Sequence, residues 1–544
     1  MKKLKVNNGN LLMILPLMLA FMLFGGFYSF GAYFIGAVIL FCLFLRLGYS
    51  KRSYSPNRKV IGICAGMLGS AFISCLVSVN KGLSWLGLIR LIGFFLWAFL
   101  LFQFEESERD AVLHILPFVG VTMVLIGIVT YWIPGLKEFF WQSDRLGGIF
   151  QYSNTCGLFL LICVVLLTAR SHPVKKDFML FDSLLFGVFL TGSKGSVILL
   201  ILVLLWVFLK KKAFRKNIGI FLVVMLIVAF VYGFLTKDYQ NIARIFTLLK
   251  NPSTLYGRVL YVKDVIPTLI QNPLGIGYMG YASIQSSIQT GLYTTIYLHN
   301  DWIQMALDFG WIFAGITVFV FLFQIIKGRQ STEKKIILVI IAVYSLLEFH
   351  FQYFFMDMLV LLFFDMDRQK AKIGKGLTVK ENQIFSIVGC FFFLYLGVAS
   401  FCTYIGEYDR AVSMNPLDTQ ARTGQLLKET EKDMAVAYAT KLLEYDTYNI
   451  QAYNALAYGA LMDGNVEHAL DNKMKILEIA RFDMNEYADF DEMVQNILLA
   501  TEDSQIQNLC ESARKRMQSL LNETKENVSL MAYKLRDKPV FTWE

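Results

Sequence analysis

An all-α bundle that crosses a membrane many times, followed by a helical domain outside the bilayer, is the fold class this sequence predicts. Three observations predict it. Hydrophobic residues make up 56% of the 544, against 17% charged, a balance far too apolar for a water-soluble protein. The apolar runs approach the roughly 20 residues that a helix needs to span hydrocarbon. From about Glu407 those runs stop, and helical periodicity with short polar breaks replaces them.

Apolar runs over 11–27, 28–46, 60–78, 83–103, 111–133, 153–169, 178–192, 195–209, 218–236, 302–326, 336–350, 351–366 and 383–405 read as thirteen spans in a membrane domain covering residues 1–405. The first begins like a signal peptide, with basic residues before an apolar stretch. No clear small-x-small cleavage site precedes the second span, so it reads as a retained anchor. Positive connections stay in the cytoplasm. With Lys2, Lys3 and Lys5 inside, the inside connections of residues 1–405 hold 26 Lys and Arg and the outside ones nine, with Arg90 left within a span. That bias places 131–152, the 193–195 turn, the 237–301 loop and everything after 405 outside.

Of the eight cysteines, Cys42, Cys64, Cys75, Cys156, Cys163 and Cys390 fall inside spans and none forms a C-x-x-C pair, so no disulfide framework is indicated. The net charge of +9 hides an asymmetry, because residues 406–544 hold 15 basic and 24 acidic side chains. This acidic, soluble tail argues against nucleic-acid binding. Within it, Tyr453, Leu456, Ala457 and Ala469 sit at large, small and small packing positions around an Asp463-Gly464-Asn465 turn, and Ala411 and Pro416 have the spacing of a repeat end. These positions resemble a tetratricopeptide repeat. Lys473, Ile476 and Arg481 depart from it, standing where an aromatic, an alanine and a proline are usual. An irregular helical bundle is the plainer alternative. Either implies a protein-contact surface.

Four segments on the outer side carry chemistry-bearing residues. His299-Asn300 stands where the long polar loop re-enters an apolar run, followed by Trp302, Asp308 and Gly310. A loop histidine is usually incidental, yet a neutral imidazole at the mouth of a membrane helix suits a general base. Arg258 opens a periodic segment, 258–271, that reads as a surface helix ended by Asn272-Pro273-Leu274-Gly275-Ile276-Gly277. Its guanidinium can clamp a diphosphate in bidentate fashion, or simply snorkel to the interface. Gly192-Ser193-Lys194-Gly195-Ser196 breaks an apolar run and offers an ammonium and helix-start N–H groups to an anion; the alternative is a hairpin with a solvated lysine. Arg145 leads through Leu146-Gly147-Gly148-Ile149-Phe150 to Asn154 at the next span, where a helix cap is the plain reading.

In order, spacing and sidedness these segments resemble the O-antigen ligase and polymerase superfamily, over roughly residues 80–365. The matching features are an Arg-Leu-x-Gly-x-Phe segment ending in Asn (145–154), a Ser-Arg-Gly-like turn (193–195), an arginine before a surface helix ending in Pro-Leu-x-Gly-x-Gly (258–277), and a His-Asn motif followed by an acid and glycine (299–310). The turn departs from the family in carrying Lys194 where arginine is usual, which keeps the charge and loses the planar fork.

The resemblance implies a glycosyltransferase-C-like membrane enzyme of the bacterial plasma membrane that transfers or polymerises glycans from an undecaprenyl-diphosphate-linked donor. It implies an inverting, metal-independent reaction without a cofactor. His299 would be the base, with Arg258 and Lys194 on the leaving diphosphate and Arg145, Arg90 and Asn300 binding substrate. Arg90, buried in a span, would face the same cavity with Glu348 or Asp357 as partner, or serve a structural pair. Asp365-x-Asp367 lies on the cytoplasmic side and reads as a helix end. Expected partners are the lipid-linked donor, a glycan, protein or wall-polymer acceptor, membrane lipids and a protein bound through the tail. A lipid-linked oligosaccharide flippase is the alternative, and it calls for charges at mid-membrane depth on several spans. A scaffold organised by the tail is a third reading, under which His299 is dispensable.

Overall fold

The computed structural model describes residues 8–50, 53–170, 172–236, 253–366, 368–370 and 378–542. Lys2, Lys3, Lys5, Lys51, Arg52, residues 237–252 of the outer loop, Asp367, Lys372 and Lys375 lie outside the described residues. The fold is all-α, with two short two-stranded ribbons among the described residues. Each predicted apolar segment is occupied by helix. Among the described residues, five of these helices, Ser29–Ser50, Arg58–Leu76, Lys81–Phe102, Glu106–Thr130 and Val379–Tyr404, are long and apolar enough to cross a membrane. Shorter apolar helices include Ser153–Thr168, Trp311–Lys327 and Phe354–Phe363.

The chain forms two compact units. The first comprises Met1–Cys64, Ile92–Asn251 and Thr317–Gly397. At its centre is Ser153–Thr168, buried along its whole length. It is packed by Leu116–Thr130, Lys175–Leu190, Lys194–Lys210 and Thr332–Tyr344. An aromatic cluster of Phe21, Phe150, Phe159 and Phe355 fills the space beside it. The polar connections of this unit form two sets of contacts. Arg46 pairs with Glu108, Lys334 with Asp110 at 2.5 Å, Arg170 with Asp177 and Arg329 with Asp365. The Tyr54–Pro56 strand pairs with Arg368–Lys370. All of these belong to connections expected on the cytoplasmic side. The connections expected outside, around 145–154, 191–196 and 344–353, meet one another instead.

The second unit comprises Ala65–Leu91, Pro252–Ile316 and Val398–Glu544. Here the acidic tail folds as successive antiparallel helices from Tyr408–Met414 to Ser504–Glu526. Their starts are capped by Asp418, Asn449, Asn465, Asp483 and Asp503 side chains, which satisfy N–H groups that a helix end leaves orphaned. The Asp463-Gly464-Asn465 segment turns between Ile450–Met462 and Val466–Ile479, with Ala457 and Ala469 fully buried at the crossing. Lys473 occupies a packing position and is itself only 1% exposed. It survives there because Asp489 and Asn454 receive its ammonium and the Tyr458 ring lies 4.9 Å away, as a buried charge demands.

The tail also reaches the membrane segments of its own unit. Lys81 donates its backbone N–H to Tyr445 O at 2.8 Å, Thr419 bonds Asn80 Oδ1 at 3.1 Å, and Val79 N–H donates to Ile276 O at 3.1 Å. Three regions expected on the outer side therefore meet here: the tail, the 79–81 turn and the loop ending at Gly277.

The expected span 302–326 is interrupted. The run 302–326 reads as a single helix, whereas the chain forms Asp301–Phe309, breaks at Gly310 with φ +89, and resumes as Trp311–Lys327. Hydropathy cannot register this break, because the residues on both sides are apolar while the backbone at Gly310 is one that only glycine adopts without strain.

Candidate active site

In the second unit the Pro-Leu-x-Gly-x-Gly turn and the His-Asn helix are two halves of one structure. The carbonyls of Leu307, Asp308 and Phe309, which end the short helix, accept from Ile276 N–H at 2.7 Å, Ser74 Oγ at 2.9 Å and Ser70 Oγ at 2.7 Å. Trp311 N–H donates to Pro273 O at 3.0 Å. Gly277, at φ +88, donates its N–H to Ser74 and lies so close to Ser84 that a Cβ would collide with it. The spacing of the two motifs thus has a backbone cause: the glycine turn caps the helix that His299 introduces.

At the other end of that helix, Asn300 is the N-cap, its Oδ1 accepting from Ile303 N–H at 3.0 Å. His299 immediately precedes it with φ +55 and is half-buried. A left-handed histidine is uncommon and is kept only where its surroundings hold it. Below Asn300, Gln304 bridges Leu298 N–H at 3.0 Å and the buried Asp308 carboxyl at 2.9 Å, so the residue before His299 is pinned by the helix that follows it.

Arg258 lies near the start of Ser253–Gln271, where the sequence predicts a surface helix. One turn on, Tyr261 shares its face. Burial raises the Tyr261 phenol above its ordinary pKa and the Arg258 charge opposes that shift. The Tyr261 ring stands 6.2 Å from the His299 ring and 4.5 Å from Tyr293. Tyr261 therefore links the arginine and the histidine that the sequence singled out. Another turn on, Asp264 accepts from Thr290 N–H at 2.8 Å, Thr290 Oγ1 at 2.7 Å and Tyr293 OH at 2.8 Å. Burial holds its carboxyl above the usual carboxylate range despite those bonds. Sequence reasoning missed Tyr261, Asp264 and Tyr293. Arg258, Tyr261 and Asp264 at i, i+3 and i+6 were a signal that one helix face carries all three.

Arg90 belongs to this unit too, only 8% exposed within Lys81–Phe102. Lys194 and Arg145 belong to the first unit. There Lys194 is exposed at the first turn of Lys194–Lys210, and Ser193 caps that helix while bonding the Tyr344 hydroxyl at 2.5 Å. Ser196 adds a second bond to the same hydroxyl at 3.1 Å. Arg145 donates Nε to Thr191 O and Nη2 to Asn154 Oδ1, both at 2.9 Å, so its guanidinium fastens the turn that presents Lys194. Asn154 and Tyr152 in turn donate to Glu348 at 2.6 Å each, and Thr155 meets His350 at 3.1 Å. Glu348, offered by the sequence as a partner for Arg90, carries this network. Among the described residues no three His, Cys, Asp or Glu side chains converge as ligands for a metal ion.

Residues 179–320 match the family model described as O-antigen ligase. Over this stretch the chain is similar to the O-antigen ligase family. The match encloses Lys194, Arg258, His299 and Asn300, and it implies a membrane-embedded enzyme of cell-surface glycan assembly acting on lipid-linked glycans. No curated protein and no solved structure matches the chain.

Proposed function

We propose that this chain transfers or polymerises glycans at the outer face of a bacterial plasma membrane, from an undecaprenyl-diphosphate-linked donor onto an acceptor hydroxyl. The observation that carries the reading is His299: a left-handed histidine at the mouth of a capped helix, inside the family match, beside a tyrosine that packs next to Arg258. In this reaction His299 takes the proton of the acceptor hydroxyl as its oxygen attacks the anomeric carbon. The bond from that carbon to the phosphate oxygen breaks, and the electron pair leaves with the diphosphate. Configuration inverts because attack and departure are on opposite faces. Arg258 and Lys194 supply positive charge to the leaving diphosphate. The half-buried position of the imidazole suits a base that meets substrate from the aqueous side.

Arg145 and Asn300 support the reaction indirectly, the first by fixing the Lys194 turn and the second by fixing the helix below His299. The acidic tail, on the same side as the loop, offers a surface to a protein acceptor or partner. Cells with and without the chain, compared for surface glycans and glycoproteins, test the reading. Loss of one glycan with accumulation of its lipid-linked precursor on the outer leaflet supports transfer. Accumulation on the inner leaflet supports a flippase instead.

A further inference from the structure

The end of the chain returns to the loop that leads into His299. Ser529 donates its backbone N–H to Thr290 O at 2.9 Å, and Lys263 Nζ reaches Ser529 Oγ at 3.3 Å. Ala532 is fully buried against Gly291, with Leu260 alongside. Leu260, Tyr293, Ala532 and Leu535 form one apolar cluster, bordered by Tyr256, Tyr261, Val528 and Met531. Lys534 lies 4.9 Å over the Tyr256 ring. Residues 290–293 are thus held by Asp264, through Thr290 and Tyr293, and by the terminal segment, through Ser529 and Ala532.

We propose that residues 528–535 are a positioning element for the base, so that the tail takes part in glycan transfer itself. The inference rests on His299 being that base. The segment covers Leu260, which lies on the Ser253–Gln271 helix between Arg258 and Tyr261, and it grips a loop whose next turn ends at His299. A histidine at φ +55 keeps that conformation only while its flanks are fixed. Leu298 and the helix Asp301–Phe309 fix its backbone, while its ring stands beside Tyr261, which borders the cluster that the segment completes. Releasing the segment therefore loosens the Tyr261 and Tyr293 rings on the side where the imidazole stands.

Full-length chain in native membranes provides the test, using a lipid-linked donor and comparing equal amounts of protein. Ser529→Pro removes the N–H donor, and Ala532→Trp cannot fit the buried site. Both are expected to lower kcat by about 10- to 100-fold, the order of loss that displacement of a reacting group produces, with a smaller change in donor KM and a shifted pH dependence of kcat. Ser529→Ala, which keeps the backbone N–H, and Ala532→Ser, which adds one atom, should retain most of the turnover. Wild-type kcat in Ser529→Pro and Ala532→Trp, or losses in Ser529→Ala and Ala532→Ser as large as theirs, overturns the proposal. His299→Ala measured alongside separates the two readings. If it is inactive while the segment variants are fully active, the positioning role alone fails; if it is active, the assignment of the base fails first.

Discussion

Asn154 Nδ2 donates to Glu348 at 2.6 Å, joining two residues 194 positions apart, one at the start of the most buried helix and the other in the turn after Thr332–Tyr344. Through Asn154 the carboxylate also reaches Arg145, and through Arg145 the turn that displays Lys194. Lys194, exposed in the first unit, is therefore presented by a buried polar chain. Glu348→Ala should leave the Asn154 amide and Tyr152 hydroxyl without their acceptor, at about 1.5–3 kcal/mol for each bond to a charged group. The thermal midpoint of the detergent-solubilised protein should fall accordingly, and Glu348→Gln should fall less because it retains a carbonyl acceptor. Equal midpoints in Glu348→Ala and wild type contradict this role.

Lys194 is exposed, so its substitution should act on turnover and spare folding. If it works as a charge beside the donor diphosphate, Lys194→Arg retains substantial activity while Lys194→Ala and Lys194→Gln lose it through weaker donor binding and poorer leaving-group stabilisation. Transfer by membranes carrying each variant, normalised for protein amount, decides the matter. Three equally active variants return the turn to a plain hairpin.

Asn300 separates cap from substrate contact. Asn300→Ala should cost about 1 kcal/mol of stability through loss of the bond to Ile303 N–H, and turnover should fall with it. Asn300→Ser, which restores a capping oxygen, should recover both. A folded but inactive Asn300→Ser shows that the amide itself meets substrate.

The orientation rests on the bias of 26 inside to nine outside basic residues. Single cysteines at Ser331 and Ser504, both exposed, should respond oppositely to a membrane-impermeant thiol reagent on intact cells. The 504 position reacts and the 331 position is protected; the reverse pattern inverts the topology.

Much of this architecture was legible because hydropathy and charge act over long windows. The apolar segments, the Asp463-Gly464-Asn465 turn and the surface helix after Arg258 all follow from local periodicity and turn chemistry. The break at Gly310 was not, since it depends on Ile276, Ser70 and Ser74 capping carbonyls from elsewhere in the chain. Tyr261, Asp264 and Tyr293 were missed for the same reason. Each is unremarkable in its own segment, and their importance comes from pairings across 26 to 38 residues. Glu348 was visible as an intramembrane acid, but its hydrogen-bond partners, Asn154 and Tyr152, lie nearly 200 residues earlier.

The central claim is that His299 is the base for glycan transfer, and the most direct measurement is turnover of His299→Ala in membranes supplied with lipid-linked donor and acceptor. General-base assistance is commonly worth about two to four orders of magnitude. The account predicts a loss of that size with donor binding largely retained, because Arg258 and Lys194 remain. Turnover above about half of the wild-type rate, at equal protein amount, contradicts it.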